Sequence, residues 1–438
     1  LLAGYGAAAF GALLGFALVP LLLLYYLTEI AGLPPAWAGT VLALPKVLDV
    51  VLDPWLGRKT DTFAKANGSR ASLLLFSALV LPLLLVLLFV PLQGLPLETR
   101  AAVFAVLLTA QSLLTTVFAV AHTALAGDLG PTMSSRGTLL SARSFGATSA
   151  GFVVAGLAPA LVALFGNGQP GYLGMGVVLA VGAFLLLIVA WCICRGTPMQ
   201  VGVEDPAATP LHLLPALLAT LRNRAFYLIV TMLVLIGIGS GALIALMPYI
   251  NQHLLQRSPA QLPALMLPVF VVLLVGVLTA PWLLRKAGPS KSLMLALSFA
   301  LAGTVALAGG ARETALMTMG AGLFGFGAGL LTVLILTLGS EAATRSQARG
   351  ESLGLYLGVL FSAEKLGASI SVLLTGFGLE WVRSQHGTTL DPERLATLWL
   401  WLPLGALLAC LILVFTQRPA LSALEPKSQH TAIGRPRK

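Results

Sequence analysis

The chain has 438 residues, of which 58% are hydrophobic and only 10% charged. Soluble domains carry about a quarter charged residues, so this balance, with a mean hydropathy of +0.94, excludes a soluble enzyme or binding module and implies a polytopic membrane protein. The formal net charge of +10 would suit nucleic acid, but the basic residues are dealt out between hydrophobic segments, so no nucleic-acid partner is expected.

Runs of about 20 apolar residues, the length that crosses a bilayer, recur along the chain. They predict twelve spans, near residues 5–30, 37–57, 72–93, 101–126, 138–166, 172–194, 225–250, 262–284, 290–310, 314–338, 353–380 and 396–416. With a cytoplasmic N-terminus, only Arg100, Arg257, Arg312, Arg383 and Arg394 fall in odd-numbered connections. The even-numbered connections and the tail hold the other basic residues outside the spans. The positive-inside rule then puts both termini in the cytoplasm of a multi-pass protein of the cell (inner) membrane.

The longest inside connection separates spans six and seven. The expected domains are a six-helix bundle at 1–194, a cytoplasmic linker at 195–224, a second bundle at 225–416, and a basic cytoplasmic tail at 417–438 placed to meet membrane lipid. A basic stop follows the second span of each half, GRKTDTFAKANGSR from Gly57 and RKAGPSK from Arg285, as a duplicated, pseudo-symmetric chain would show.

Span two carries Lys46, Asp49 and Asp53, whose spacings of three and four put them on one helix face. A bare charge at mid-bilayer costs about 2.5–3.5 kcal/mol on insertion scales, so these residues are expected to pair, face water or bind something. Ionised, the trio has a formal charge of −1, which one H⁺ or Na⁺ would neutralise. Asp49 and Asp53 are therefore candidate cation ligands, with a hydroxyl lent by Thr116; a static Lys–Asp brace is the alternative. Leu52, between the acids, offers no oxygen, which favours H⁺ over Na⁺.

Further along, His122 and Thr123 end span four, where His122 is either a proton shuttle or a hydrogen-bonded wall residue. Arg143 lies inside span five, facing a cavity or snorkelling to the interface. Lys365 falls near mid-membrane in span eleven. Helix neighbours point about 100° apart, so a partner across the cavity, Asp49 or Asp53, is expected for it, with an internal pair to Glu364 as the alternative. Gly237 with Gly241, and Gly325 with Gly329, have the spacing of close helix contacts. Cys192, Cys194 and Cys410 do not form a zinc framework. No nucleophile–base pair or phosphate-binding loop is visible, so neither an enzyme nor a cofactor is expected.

The segment KVLDVVLDPWLGRKTD resembles the second-helix signature of the glycoside–pentoside–hexuronide:cation symporters, the melibiose permease-like family of the major facilitator superfamily. Asp49, Asp53, Pro54, Gly57 and Asp61 match it. GYGAAAFG and YYLTEIAGL resemble the first helix. VAHTALAGDLGPTMSSRGTLLSAR resembles the fourth-helix exit with its two arginines, here Arg136 and Arg143, and GLYLGVLFSAEKLGASI resembles the eleventh helix with its single Lys. The resemblance covers residues 4 to about 416.

It implies an all-α major facilitator fold of two pseudo-symmetric six-helix bundles. The implied function is H⁺- or Na⁺-coupled symport of a sugar-like small solute by alternating access, in a monomer. Lys46, Thr123, Arg143, Tyr356 and Lys365 would meet the solute. Gly57, Arg58, Asp61 and Arg136, with Arg349 and Glu351 in the other half, would form a conformational latch. Ala12, Leu13, Leu52 and Ala119 stand where the family has polar groups. That leaves a lysolipid or other amphiphile as the alternative cargo. Asp53→Asn is expected to abolish uphill uptake while leaving solute exchange partly intact, as measured in energised and de-energised vesicles.

Overall fold

The computed structural model describes residues 2–129, 133–196, 223–310, 314–347, 353–383 and 390–422. Helix α1, Leu2–Leu18, continues through two π turns, Val19–Leu23 and Tyr26–Ile30. Pro20 lies in the first of these, where its missing N–H breaks the regular ladder. Next come α2 (Pro35–Asn67), α3 (Ala71–Leu87), α4 (Leu97–Leu129), α5 (Met133–Leu164) and α6 (Gly168–Cys194).

The second half begins with α7, Arg224–Tyr249, extended by a π turn at Ile250–Leu254. Leu262–Gly309 is two helices, α8 (262–287) and α9 (289–309), which meet at Gly288 with φ 74°. That backbone is open to glycine without steric cost, and the next residue is Pro289. Then follow α10 (Thr314–Gln347), α11 (Leu353–Val382), α12 (Pro392–Thr416) and the short α13 (Arg418–Ser422).

Eight helical stretches among the described residues are long and apolar enough to cross a membrane, one of them the bent Pro259–Gly309. Counting its two limbs separately, and adding α2, α3 and α11, gives twelve crossing helices among the described residues. α3 departs from its predicted bounds, ending at Leu87 rather than near residue 93. Val90 precedes Pro91, and a residue before proline is pushed out of the helical region.

The near end of the bundle holds both described chain ends. There Arg224 donates to Gln417 Oε1 at 2.7 Å and Ser290 donates to the Arg418 carbonyl at 3.5 Å, tying α7, α9 and α12 together. The glycine pairs are packing devices inside the second half. Gly325 and Gly329 lie against the Val269 and Leu273 carbonyls of α8, while Gly237 and Gly241 lie against Gly367 and Ser371 of α11.

The two halves meet at the far end. Gly39 of α2 and Gly376 of α11 touch backbone to backbone. A Cβ on Gly376 would lie 2.5 Å from the Pro35 carbonyl oxygen, and one on Gly39 would lie 2.9 Å from that of Val372. Phe152 of α5 packs edge-on against Phe270 of α8, with ring centroids 5.7 Å apart.

Gly376→Val is expected to hold the far ends apart, because the contact is backbone and has nowhere to yield. Spin labels at Leu95→Cys and Ala260→Cys, on exposed far-end positions of the two halves, should report a longer separation than in the parent, with Cys192, Cys194 and Cys410 replaced. Gly405→Ala, which meets nothing within 4 Å, should leave the separation unchanged.

Candidate functional site

Asp49 sits about 20 Å along α2 from its far end, given the 1.5 Å rise per residue. It is 3% exposed. Ser112 of α4 donates to its Oδ2 at 2.7 Å, and Lys365 Nζ of α11 lies 3.6 Å from the same oxygen. Asp49, one of the partners weighed for Lys365, is thus within ion-pair distance of it. This contact crosses from the first half to the second. Asp49 Oδ1 is buried and has no hydrogen-bond partner, so the carboxylate retains one free acceptor.

The magnitudes explain why three helices converge here. Leaving Asp49 and Lys365 bare at mid-bilayer would cost about 5–7 kcal/mol together on insertion scales. Coulomb attraction at this separation contributes about 4–5 kcal/mol at an effective dielectric near 20, and the charge-assisted serine bond about 1.5–3 kcal/mol. The terms nearly cancel. The arrangement is tolerable while intact and responds strongly to any added charge.

Lys46, one turn before Asp49, places its Nζ 4.7 Å from the centre of the Phe16 ring of α1. Asp49, Lys365 and Glu364 are within its electrostatic reach. Beside it Phe16, Gln111 and Ser112 line a small cavity with room for about one water molecule. Gln111 is buried, and its Oε1 has no partner.

A second cluster lies nearer the chain ends. Tyr5 of α1 donates to the His122 carbonyl. The His122 ring is stacked between Tyr5, 3.9 Å away, and Phe118, 5.0 Å away. His122 is 1% exposed with neither ring nitrogen partnered, and the Nε of nearby Arg143 is also buried without a partner. Arg143 Nε and at least one nitrogen of the imidazole are donors with no acceptor in hand.

Thr116 is half-buried on α4, one turn beyond Ser112. Thr123 is exposed, and its hydroxyl donates back to the Ala119 carbonyl of its own helix at 2.6 Å. Arg349 and Glu351 lie outside the described residues, as do the side chains of Asp53, Arg58, Asp61, Arg136 and Tyr356; nothing is described around Gly57. The near-end ion pair that is described joins Arg70 to Asp128 at 3.1 Å, with both side chains buried, and links the start of α3 to the end of α4.

Sequence reasoning passed over Ser112 and Gln111. Ser112 lies four residues before Thr116, so helical spacing from that threonine would have reached it.

The family model for MFS/sugar transport proteins matches residues 4–422. The chain belongs to that family. It is an integral, multi-pass membrane transporter. The isoprimeverose transporter of Lactiplantibacillus pentosus is 22% identical over 436 residues, covering 97% of this chain and 89% of that protein. The inner membrane symporter YicJ of Escherichia coli (strain K12) is 30% identical over 191 residues, covering 43% of this chain and 41% of YicJ. Among solved structures, the nucleoside transporter NupG superposes with a TM-score of 0.69 at 14% identity, covering 95% of this chain and 98% of NupG. A bacterial homologue of the human drug peptide transporters PepT1 and PepT2 superposes at 0.66 with 15% identity, covering 97% and 98%. These likenesses establish the major facilitator fold.

Ser112→Ala is expected to lower the melting temperature of the purified protein by removing a bond worth about 1.5–3 kcal/mol from a buried carboxylate. Ser112→Thr, which keeps the hydroxyl, should lose less.

Proposed function

We propose that the protein is a cation-coupled symporter of a sugar-like solute, working by alternating access with its termini in the cytoplasm. The observation that carries this reading is the Lys365–Asp49 contact at mid-depth, one partner from each half. A proton or Na⁺ arriving at Asp49 competes with the Lys365 ammonium for the same carboxylate. Binding it frees Lys365 and loosens the link between the bundles.

The released ammonium is then available to hydroxyl oxygens of the solute, as are the unpartnered donors of His122 and Arg143. Ion without solute would leave an unpaired cation in low dielectric, which is costly. Each ligand therefore favours binding of the other, and the coupling is reciprocal. The isoprimeverose transporter and YicJ support a glycoside as cargo and a symport mode. The far-end contacts correspond to the state closed to the outside.

One observation favours a second cargo. An apolar groove of about 710 Å³ runs between α1, α5 and α6, lined by Leu2, Phe10, Phe145 and Leu186 among others. It would suit the acyl chain of a lysolipid.

The test is uptake into proteoliposomes across a panel of glycosides, with lysophosphatidylcholine included and Na⁺ and pH gradients imposed separately. A glycoside accumulated only with one of the two gradients, and not by Lys365→Gln, is the expected outcome. Gradient-independent equilibration of every glycoside, or uptake of lysophosphatidylcholine alone, would overturn it.

A further inference from the structure

Away from the Asp49 site, the far mouth carries its own polar assembly, built between the end of α1 and the end of α7. Tyr25 donates to Gln252 Oε1. Thr28 Oγ1 and the Tyr249 hydroxyl are 2.6 Å apart. The Tyr25 and Tyr249 rings meet edge-on at 5.0 Å. Glu29 Oε2 faces His253 Nε2 at 3.4 Å, with side-chain exposures of 19% and 23%. Every one of these contacts joins the first half to the second.

The Glu29–His253 contact differs from its neighbours. Nε2 of His253 is buried and makes no hydrogen bond at this geometry, so its attraction to the carboxylate depends on charge. That attraction is strong when an imidazole is protonated and weak when it is neutral. Imidazole is the side chain whose charge ordinarily changes between about pH 5 and 8.

Charged and titratable groups lie around the pair. Tyr25, Tyr172 and Tyr249 lie within electrostatic reach of Glu29, and His253 is its ion-pair partner among the described residues. Arg100 of α4 is engaged with the Ala31 carbonyl at 2.7 Å. Arg257 follows in the connecting loop, where its backbone N–H donates to Asn251. At the far-end start of α12, Asp391 caps Glu393 and Arg394 and pairs with Arg394 at 3.5 Å.

We infer that Glu29 and His253 form a second proton-binding site, separate from Asp49, which clasps the far ends of α1 and α7 when protonated and releases them when it is not. In the orientation proposed above, this site samples the medium outside the cell. Protonation stabilises the closed mouth; deprotonation leaves a half-buried carboxylate facing a neutral nitrogen and favours opening. The solute's entry path is thereby gated by external pH, whichever ion drives transport.

The experiment needs neither solute nor gradient, so its outcome is independent of the identity of the cargo and of the side that faces out. Spin labels at Leu95→Cys and Ala260→Cys, in the background without native cysteines, are measured in nanodiscs from about pH 5.5 to about pH 8.5. The short-distance population should dominate at the acid end, and a longer one should grow severalfold towards the alkaline end. His253→Arg, permanently charged, should stay short throughout. His253→Gln and Glu29→Gln should show the longer population at every pH, with Asp49 and Lys365 untouched. A monodisperse gel-filtration profile establishes that each variant is folded, and the two glutamine variants decide the matter should the arginine variant fail to fold. A parent distance that ignores pH, or a His253→Gln titration that follows the parent's, would overturn the inference.

Discussion

The arrangement of this protein depends on one carboxylate buried in the middle of a membrane. Asp49 is nearly sealed from solvent, and it is held there by a hydroxyl from its own half and an ammonium from the other. Neither the ion pair nor the serine bond alone offsets the cost of burying both charges; together they do so narrowly. That narrow margin is what a carrier requires. A strongly over-stabilised link between the bundles would never part, and an unpaired charge would not remain in lipid.

The far-end contacts show how such a link becomes directional. Backbone-to-backbone contact at Gly39 and Gly376 and the tyrosine-rich meeting of α1 with α7 close one end of the molecule. The Lys365–Asp49 contact lies inward of both. A charge change at Asp49 therefore acts near the centre of a structure whose two ends are controlled by separate contacts. Packing within each half is of another kind. Gly325 and Gly329 seat α10 on α8 through close backbone approach, with no charge involved.

Much of this was legible in the sequence, because lipid allows few choices. Hydrophobic run length marks the helices, and the cost of buried charge singles out Lys46, Asp49 and Lys365. What pattern reading missed has physical reasons. Ser112 and Gln111 are uncharged residues in an apolar helix, and their importance comes only from what they touch. The clasp at the far mouth was invisible for a related reason: Glu29 and His253 lie more than two hundred residues apart near span ends, where polar residues are ordinary. The shortening of α3 followed from Pro91, whose effect on the preceding residue outweighed the apolar run. Thr123, which the resemblance places at the solute, donates its hydroxyl to its own helix backbone and keeps its oxygen lone pairs as acceptors.

The central claim is that Asp49 and Lys365 hold the halves together through their charges and not through their shapes. A charge exchange tests it most directly. Melting temperatures of the purified Asp49→Lys, Lys365→Asp and doubly exchanged proteins should show two destabilised single variants and a double variant that recovers most of the loss. A double variant no more stable than the worse of the two singles would contradict it.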